Sequence, residues 1–165
     1  MWLSDKWKDY ELLDATDGER LERWGEYILI RPDPQIIWKT GRNHPLWKKA
    51  DGIYRRSSGG GGKWIVNKMP ADWNIGYNNL TFKLRPMGFK HTGLFPEQAA
   101  NWDWFSSLID SAVHGESPRP IKVLNLFAYT GGATAVAAKA GASVCHVDAS
   151  KGMTNAAKEN LALSG

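Results

Sequence analysis

The chain has 165 residues, 42% of them hydrophobic and 23% charged, and a formal net charge of +4. That length allows one domain or two small ones, and the apolar content suffices for a core, which excludes global disorder. One cysteine excludes a disulfide framework and suits a reducing compartment. No apolar run approaches the ~20 residues of a membrane-spanning helix, and the first residues lack the pattern of a signal peptide, so a cytoplasmic protein without membrane contact is expected.

The first 90 residues read as β-rich. Residues 10–15 and 20–31 are apolar runs separated by the turn signal Thr16-Asp17-Gly18, and Pro32 and Pro34 end the second. Residues 52–56 and 63–68 flank Ser57-Ser58-Gly59-Gly60-Gly61-Gly62, the pattern of a hairpin with a mobile tip. Residues 80–85 alternate strictly and predict a half-buried strand. Charge is unevenly spread over this region. Residues 1–38 carry five basic and nine acidic side chains, whereas residues 39–90 carry eleven basic ones against only Asp51 and Asp72.

Aromatic residues are interleaved with that basic block, among them Trp47, Tyr54, Trp64 and Phe89. Basic charge meets phosphates and aromatic faces stack on unpaired bases, so the mixture suits RNA. The RNA-contact candidates are Arg55, Arg56, Lys63, Trp64, Lys68 and Lys90. The competing reading is a small β domain with a solvated basic surface and an aromatic core, in which Trp64 packs inside.

Pro96 favours the first turn of a helix that runs to about His114. Phe105, Leu108, Ile109, Ala112 and Val113 form its apolar face. Gly115 ends it, and Pro118 and Pro120 keep the linker extended. Residues 121–127 are an apolar strand, Gly131 and Gly132 form a turn that lets the backbone approach a ligand, and an alanine-rich helix follows to Gly141. A second strand leads to Asp148, 17 residues after Gly131, close to the usual offset of a ribose-binding acid. The last helix, about 151–163, turns Met153, Ala156, Ala157, Asn160 and Leu161 towards the sheet. An open parallel sheet binds its ligand at this edge, so the segment is a nucleoside-cofactor half-site.

The turn Phe127-Ala128-Tyr129-Thr130-Gly131-Gly132 lacks the first glycine of a dinucleotide fingerprint, and no Gly-Lys-Ser/Thr follows, which excludes a P-loop. Asn125-Leu-Phe-Ala-Tyr-Thr-Gly-Gly, followed by Val147-Asp148-Ala149-Ser150-Lys151, closely resembles the S-adenosylmethionine site of class I methyltransferases. More narrowly, it resembles the family that methylates cytosine C5 in large-subunit ribosomal RNA. Phe89-Lys90-His91-Thr92-Gly93-Leu94-Phe95-Pro96-Glu97-Gln98 is similar to that family's Lys-Thr-Gly-x-Phe-x-Asp-Gln-Arg segment. Together these segments span roughly residues 80–165.

The resemblance implies an α/β protein: a β-rich basic domain over residues 1–90, then the first half of a Rossmann-like methyltransferase sheet over residues 91–165. The cofactor would be S-adenosylmethionine and the partner RNA, in this family ribosomal RNA, with no metal. In the family's chemistry a cysteine thiolate adds to cytosine C6 and the C5 carbanion takes the methyl group. The family's Asp-Pro-Pro segment and catalytic cysteine do not occur here. The expectation is therefore a truncated chain that is inert alone, with no catalytic residue before Gly165.

Its cofactor-binding candidates are Thr92, Phe95, Asn125, Phe127, Tyr129, Gly131, Asp148 and Ser150. Thr92 and Phe95 rest on the resemblance alone. Asp148 has the alternative of capping the last helix, where Ser150 is better placed; Tyr129 and Phe127 have turn and core roles as alternatives; Asn125 has a hydrogen bond to the turn. The family's Asp-Gln-Arg becomes Glu97-Gln98-Ala99, without its basic side chain. Cys145, between valines in a strand, is expected to be buried and inert. The four histidines show no ligand spacing. Two other readings stay open: an NAD(P)-linked oxidoreductase, and an RNA-binding module with a vestigial nucleotide fold.

Overall fold

A computed structural model describes residues 3–165. They form two compact units. One contains the described residues up to Lys6, Gly76–Lys83 and Leu94–Gly165; the other contains Trp7–Ile75 and Leu84–Gly93. The division is interleaved rather than a single cut at residue 90, because the middle of a hairpin is hydrogen-bonded to the last helix.

The β-rich unit is built on β1 (Tyr10–Thr16), β2 (Glu19–Trp24), β3 (Tyr27–Pro32), β4 (Gly52–Arg56) and β5 (Gly62–Val66). Their spatial order equals their chain order, and only the β3–β4 pairing is parallel. The single run expected over 20–31 is two strands. Gly25 takes a left-handed φ of 65° and Trp24 pairs with Tyr27, so the chain reverses where an L side chain would be strained. The β4–β5 hairpin forms as expected, with Arg55 opposite Lys63.

Leu21, Ile28, Ile30, Trp47 and Ala50 make the apolar cluster of this unit. On the opposite face of β2 and β3 lies a buried ion pair. Glu22 is fully buried and takes two hydrogen bonds from Arg31, at 2.6 and 2.7 Å. The Tyr10 hydroxyl donates to the same carboxylate at 2.9 Å, and the Arg31 guanidinium lies 5.0 Å from the centre of the Trp24 ring. Burial, then the Glu22 charge, pushes the Tyr10 phenol well above its ordinary value.

Within the hairpin of β6 (Trp73–Tyr77) and β7 (Leu80–Leu84) the chain passes between units. After it come a one-turn 3-10 helix at Pro96–Gln98, α1 (Ala99–His114), β8 (Lys122–Leu126), α2 (Gly132–Lys139), β9 (Ser143–Val147) and α3 (Lys151–Ser164). The inward face of α1 is centred on Trp102 and Ile109; Leu108, expected on it, is 54% exposed. The Trp102 ring draws that face round, meeting Tyr77 edge-on at 5.7 Å and Phe82 at 5.5 Å.

Strands β8 and β9 are parallel and in register, Lys122 opposite Ser143 through Leu126 opposite Val147. Side chains alternate across them. Val123, Asn125, Val144 and His146 are half-buried, and α2 packs against both strands. The other face is exposed: Leu124 and Leu126 with Cys145 and Val147 opposite. Cys145 is therefore exposed, against expectation, because it shares the face of Val147 and not that of Val144. Among the described residues no helix is long and apolar enough to cross a membrane, and no group of three His, Cys, Asp or Glu is placed to hold a metal.

Candidate cofactor-binding site

Strand β8 ends in a turn whose backbone is unusual. Phe127 and Tyr129 both have φ of 52°, and Gly131 has φ of 82°. Two non-glycine residues in the left-handed region cost about 1–2 kcal/mol each, so the surroundings must hold them there. They do so from several sides. The Ala128 N–H donates to the Val147 carbonyl at 3.1 Å and the Gly131 N–H to the Ala128 carbonyl at 3.0 Å. The Tyr129 N–H donates to the Asp148 carboxylate at 2.9 Å, and the Asn160 amide donates to the Thr130 carbonyl at 2.8 Å.

A second set of bonds lies under the turn. The Asn125 amide donates to the Thr134 hydroxyl at 2.9 Å, and that hydroxyl is 2.9 Å from His146 Nδ1. A hydroxyl has one proton and two lone pairs, so Thr134 can accept from Asn125 and bond Nδ1 of His146 at the same time. Asn125 thus ties the strand end to the first turn of α2. Gly131 caps that helix without a side-chain bond, leaving the first-turn amides as the positive end of the helix dipole.

Gly131 has no room for a side chain. A Cβ there would sit 2.8 Å from that of Ala157, at a φ that L residues avoid. Gly131→Ala is expected to lower stability by about 1–3 kcal/mol in urea unfolding, and a change within error would show the turn to be plastic.

Asp148 stands at the carboxyl end of β9. Its two oxygens accept from the Ser150 N–H at 2.8 Å and the Tyr129 N–H at 2.9 Å. These bonds, Ser150 first, hold its pKa below the ordinary carboxylate value. The group is an anion at neutral pH, and each oxygen keeps a lone pair for a diol. Ser150 caps α3, its hydroxyl accepting from the Met153 N–H at 3.4 Å. Phe95 meets the Tyr129 ring at 5.2 Å, while Phe127 is 93% exposed and is no core residue.

Seven of the eight cofactor candidates, Phe95, Asn125, Phe127, Tyr129, Gly131, Asp148 and Ser150, thus lie in one unit. Thr92 lies in the other, fully buried, its carbonyl accepting from the Arg85 N–H at 3.0 Å. Sequence reasoning missed Thr134 and His146 and read Asn160 only as facing the sheet. The available signal was a polar residue at a core position of an otherwise apolar helix face.

The RNA candidates all lie in the β-rich unit. Arg56, Lys63 and Lys68 are exposed. Arg55 is bound to Glu19 at 2.7 Å. Lys90 is half-buried and donates to the Pro32 carbonyl at 3.1 Å; desolvation lowers its pKa. Trp64 stacks edge-on against Tyr54 at 5.6 Å, and its indole N–H donates to the Met87 carbonyl at 3.0 Å. The fold gives that ring packing partners on its own chain.

A strand, a strained glycine turn, a helix and a second strand ending in a clamped acid make the chain similar to class I S-adenosylmethionine-dependent methyltransferases, and comparison with known proteins agrees. A solved S-adenosylmethionine-dependent methyltransferase from Agrobacterium tumefaciens is 39% identical, with a TM-score of 0.87 over 96% of this chain and 50% of its own. A solved Streptococcus mutans chain shares the fold at 17% identity and a TM-score of 0.68, over 97% of this chain and 44% of its own.

Among curated proteins, the ribosomal RNA large subunit methyltransferases K/L of Shewanella frigidimarina and Shewanella woodyi are 41% and 44% identical over 85 residues. That match covers 51% of this chain and 11% of each relative. The chain therefore spans a small part of these curated relatives and half of the Agrobacterium protein. No family model matches.

Proposed function

We propose that the edge formed by the 127–131 turn and Asp148 binds S-adenosylmethionine, and that the chain is the cofactor-binding part of a methyltransferase acting on RNA of the large ribosomal subunit. The observation that carries this reading is the clamped turn. Asp148 holds Tyr129 while keeping lone pairs for ribose hydroxyls, and Phe95 and Tyr129 offer ring surface to an adenine or a sulfonium. The relatives support the reaction class, and the name of the curated ones supports the substrate. Methylation at cytosine C5 is the finer form of the proposal and follows the resemblance of the Asn125–Gly132 string.

The test is calorimetric titration with S-adenosylmethionine, with NADH as the competitor that an oxidoreductase would prefer. Methyl transfer to large-subunit RNA, followed by nucleoside analysis, locates the modified atom. Tight NADH binding without S-adenosylmethionine binding would overturn the assignment.

For RNA, the exposed Arg56, Lys63 and Lys68 replace the wider set as the proposed phosphate ligands, since Arg55 already has an acid and Lys90 a carbonyl. Neutralising all three is expected to lower RNA affinity across sequences. It is also expected to flatten the slope of log K against log salt by roughly 0.7 for each phosphate of a single strand that is no longer neutralised. Cofactor affinity is expected to stay unchanged. An unaltered slope would return this surface to ordinary solvation. Trp64→Ala is expected to lower the melting temperature, because it removes packing on Tyr54.

A further inference from the structure

Asn160 is 1% exposed, and its side chain spans two separate pieces of backbone. Its carbonyl oxygen accepts from the Lys83 N–H on β7 at 2.8 Å, and its amide donates to the Thr130 carbonyl at 2.8 Å. Thr130 lies between Tyr129 and Gly131, the two left-handed residues at the heart of the turn. A neighbouring bond on α3 makes a natural control. The Ser164 hydroxyl bonds both the N–H and the carbonyl of Thr81, at 3.1 and 3.0 Å, and so docks α3 on β7 without touching the turn.

We propose that Asn160 is a positioning residue for the cofactor: its amide donor fixes the Thr130 peptide and so the left-handed geometry on which the Tyr129–Asp148 bond depends. The inference rests on reading this edge as the cofactor site, but its structural half stands without a ligand. Only a side chain that accepts at one end and donates at the other satisfies both backbone groups. A leucine of similar size would leave the buried Lys83 N–H and Thr130 carbonyl without this partner.

Asn160→Asp keeps the acceptor and makes the donor depend on protonation. A neutral carboxyl group accepts from Lys83 and donates to Thr130, as the amide does; an ionised one presents a charge to the Thr130 carbonyl. Burial and that carbonyl raise the pKa of the new acid. The variant's penalty is then absent in acid and grows as pH rises through the carboxylate range. The titratable groups near this position are Lys83 and Glu159, 3.7 Å apart, with Asp148 and His146 beyond the turn and Lys139 on α2. Asp148, with its lowered pKa, stays ionised over this range. The wild-type chain, run in parallel, accounts for every group that it shares with the variant.

The experiment measures amide-exchange protection of Tyr129 and Gly131, and S-adenosylmethionine affinity, at about pH 4.5 and about pH 7.5 for wild type, Asn160→Asp and Ser164→Ala. The expected result is a variant close to wild type in acid that loses turn protection and about tenfold in affinity at the higher pH. Ser164→Ala should lose stability without that pH-dependent change. Wild-type behaviour of Asn160→Asp at both pH values would overturn the inference. So would equal impairment at both, or an Asn160→Asp chain unfolded even in acid. If the wild type binds no S-adenosylmethionine, the cofactor reading falls, and the exchange data still decide whether Asn160 sets the turn.

Discussion

Asp148→Ala is expected to weaken S-adenosylmethionine binding by roughly tenfold to a hundredfold in calorimetry, the range for hydrogen bonds to a charged group. Two losses coincide in this variant. The ribose loses its acceptor, and the Tyr129 N–H loses the carboxylate that holds it at 2.9 Å. The pH dependence has a definite sign. Because the Ser150 and Tyr129 bonds depress the folded pKa, the charged form is retained above the ordinary carboxylate range and lost only as pH falls through the depressed value. Asp148 itself should therefore impose no change on wild-type binding between about pH 5 and pH 8. An unchanged affinity in the alanine variant would remove Asp148 from the site.

Breaking the buried ion pair of the β-rich unit is expected to have the largest effect on stability. Glu22→Ala leaves Arg31, 5% exposed, without the carboxylate that takes two of its bonds, and leaves the Tyr10 hydroxyl without its acceptor. Removing one partner of such a pair costs about 3–5 kcal/mol, because an uncompensated charge stays in low dielectric. Replacing both, as in Glu22→Leu with Arg31→Met, is expected to recover most of the loss, since desolvation is then avoided on both sides. Urea unfolding of the single and double variants reads this directly. A single-variant loss under about 1 kcal/mol would mean that water reaches the pair.

The β8–α2–β9 unit was legible because its determinants are local. An apolar run, a glycine pair, an alanine-rich helix and an acid at the right offset all fall within residues 121–148. The β4–β5 hairpin was legible for the same reason, through its Ser-Gly tip. What could not be read depends on partners distant in sequence. Asn160 finds Lys83 77 residues away and Thr130 30 residues away, and no periodicity reports such a bond. Arg55 read as a free cation because its acid, Glu19, stands 36 residues earlier and is brought beside it only by the sheet. Leu108 fitted the helical stripe, yet the stripe follows Trp102, whose ring is drawn to Tyr77 and Phe82. Thr92 and Phe95 sit three residues apart in the sequence but fall in different units, which no motif match distinguishes.

Cys145 is the only thiol in the chain, and it stands on the exposed face of β9 directly opposite Leu124. Parallel sheets of this kind are ordinarily covered on both faces, and this face is apolar. One chemically addressable atom thus stands on the exposed apolar face of the sheet. Alkylation of that sulfur requires reagent access to the strand, so its rate measures how open the face is in solution without any substitution. A polypeptide lying across Leu124 and Leu126 would slow the reaction, and a label carried on the sulfur would register its arrival.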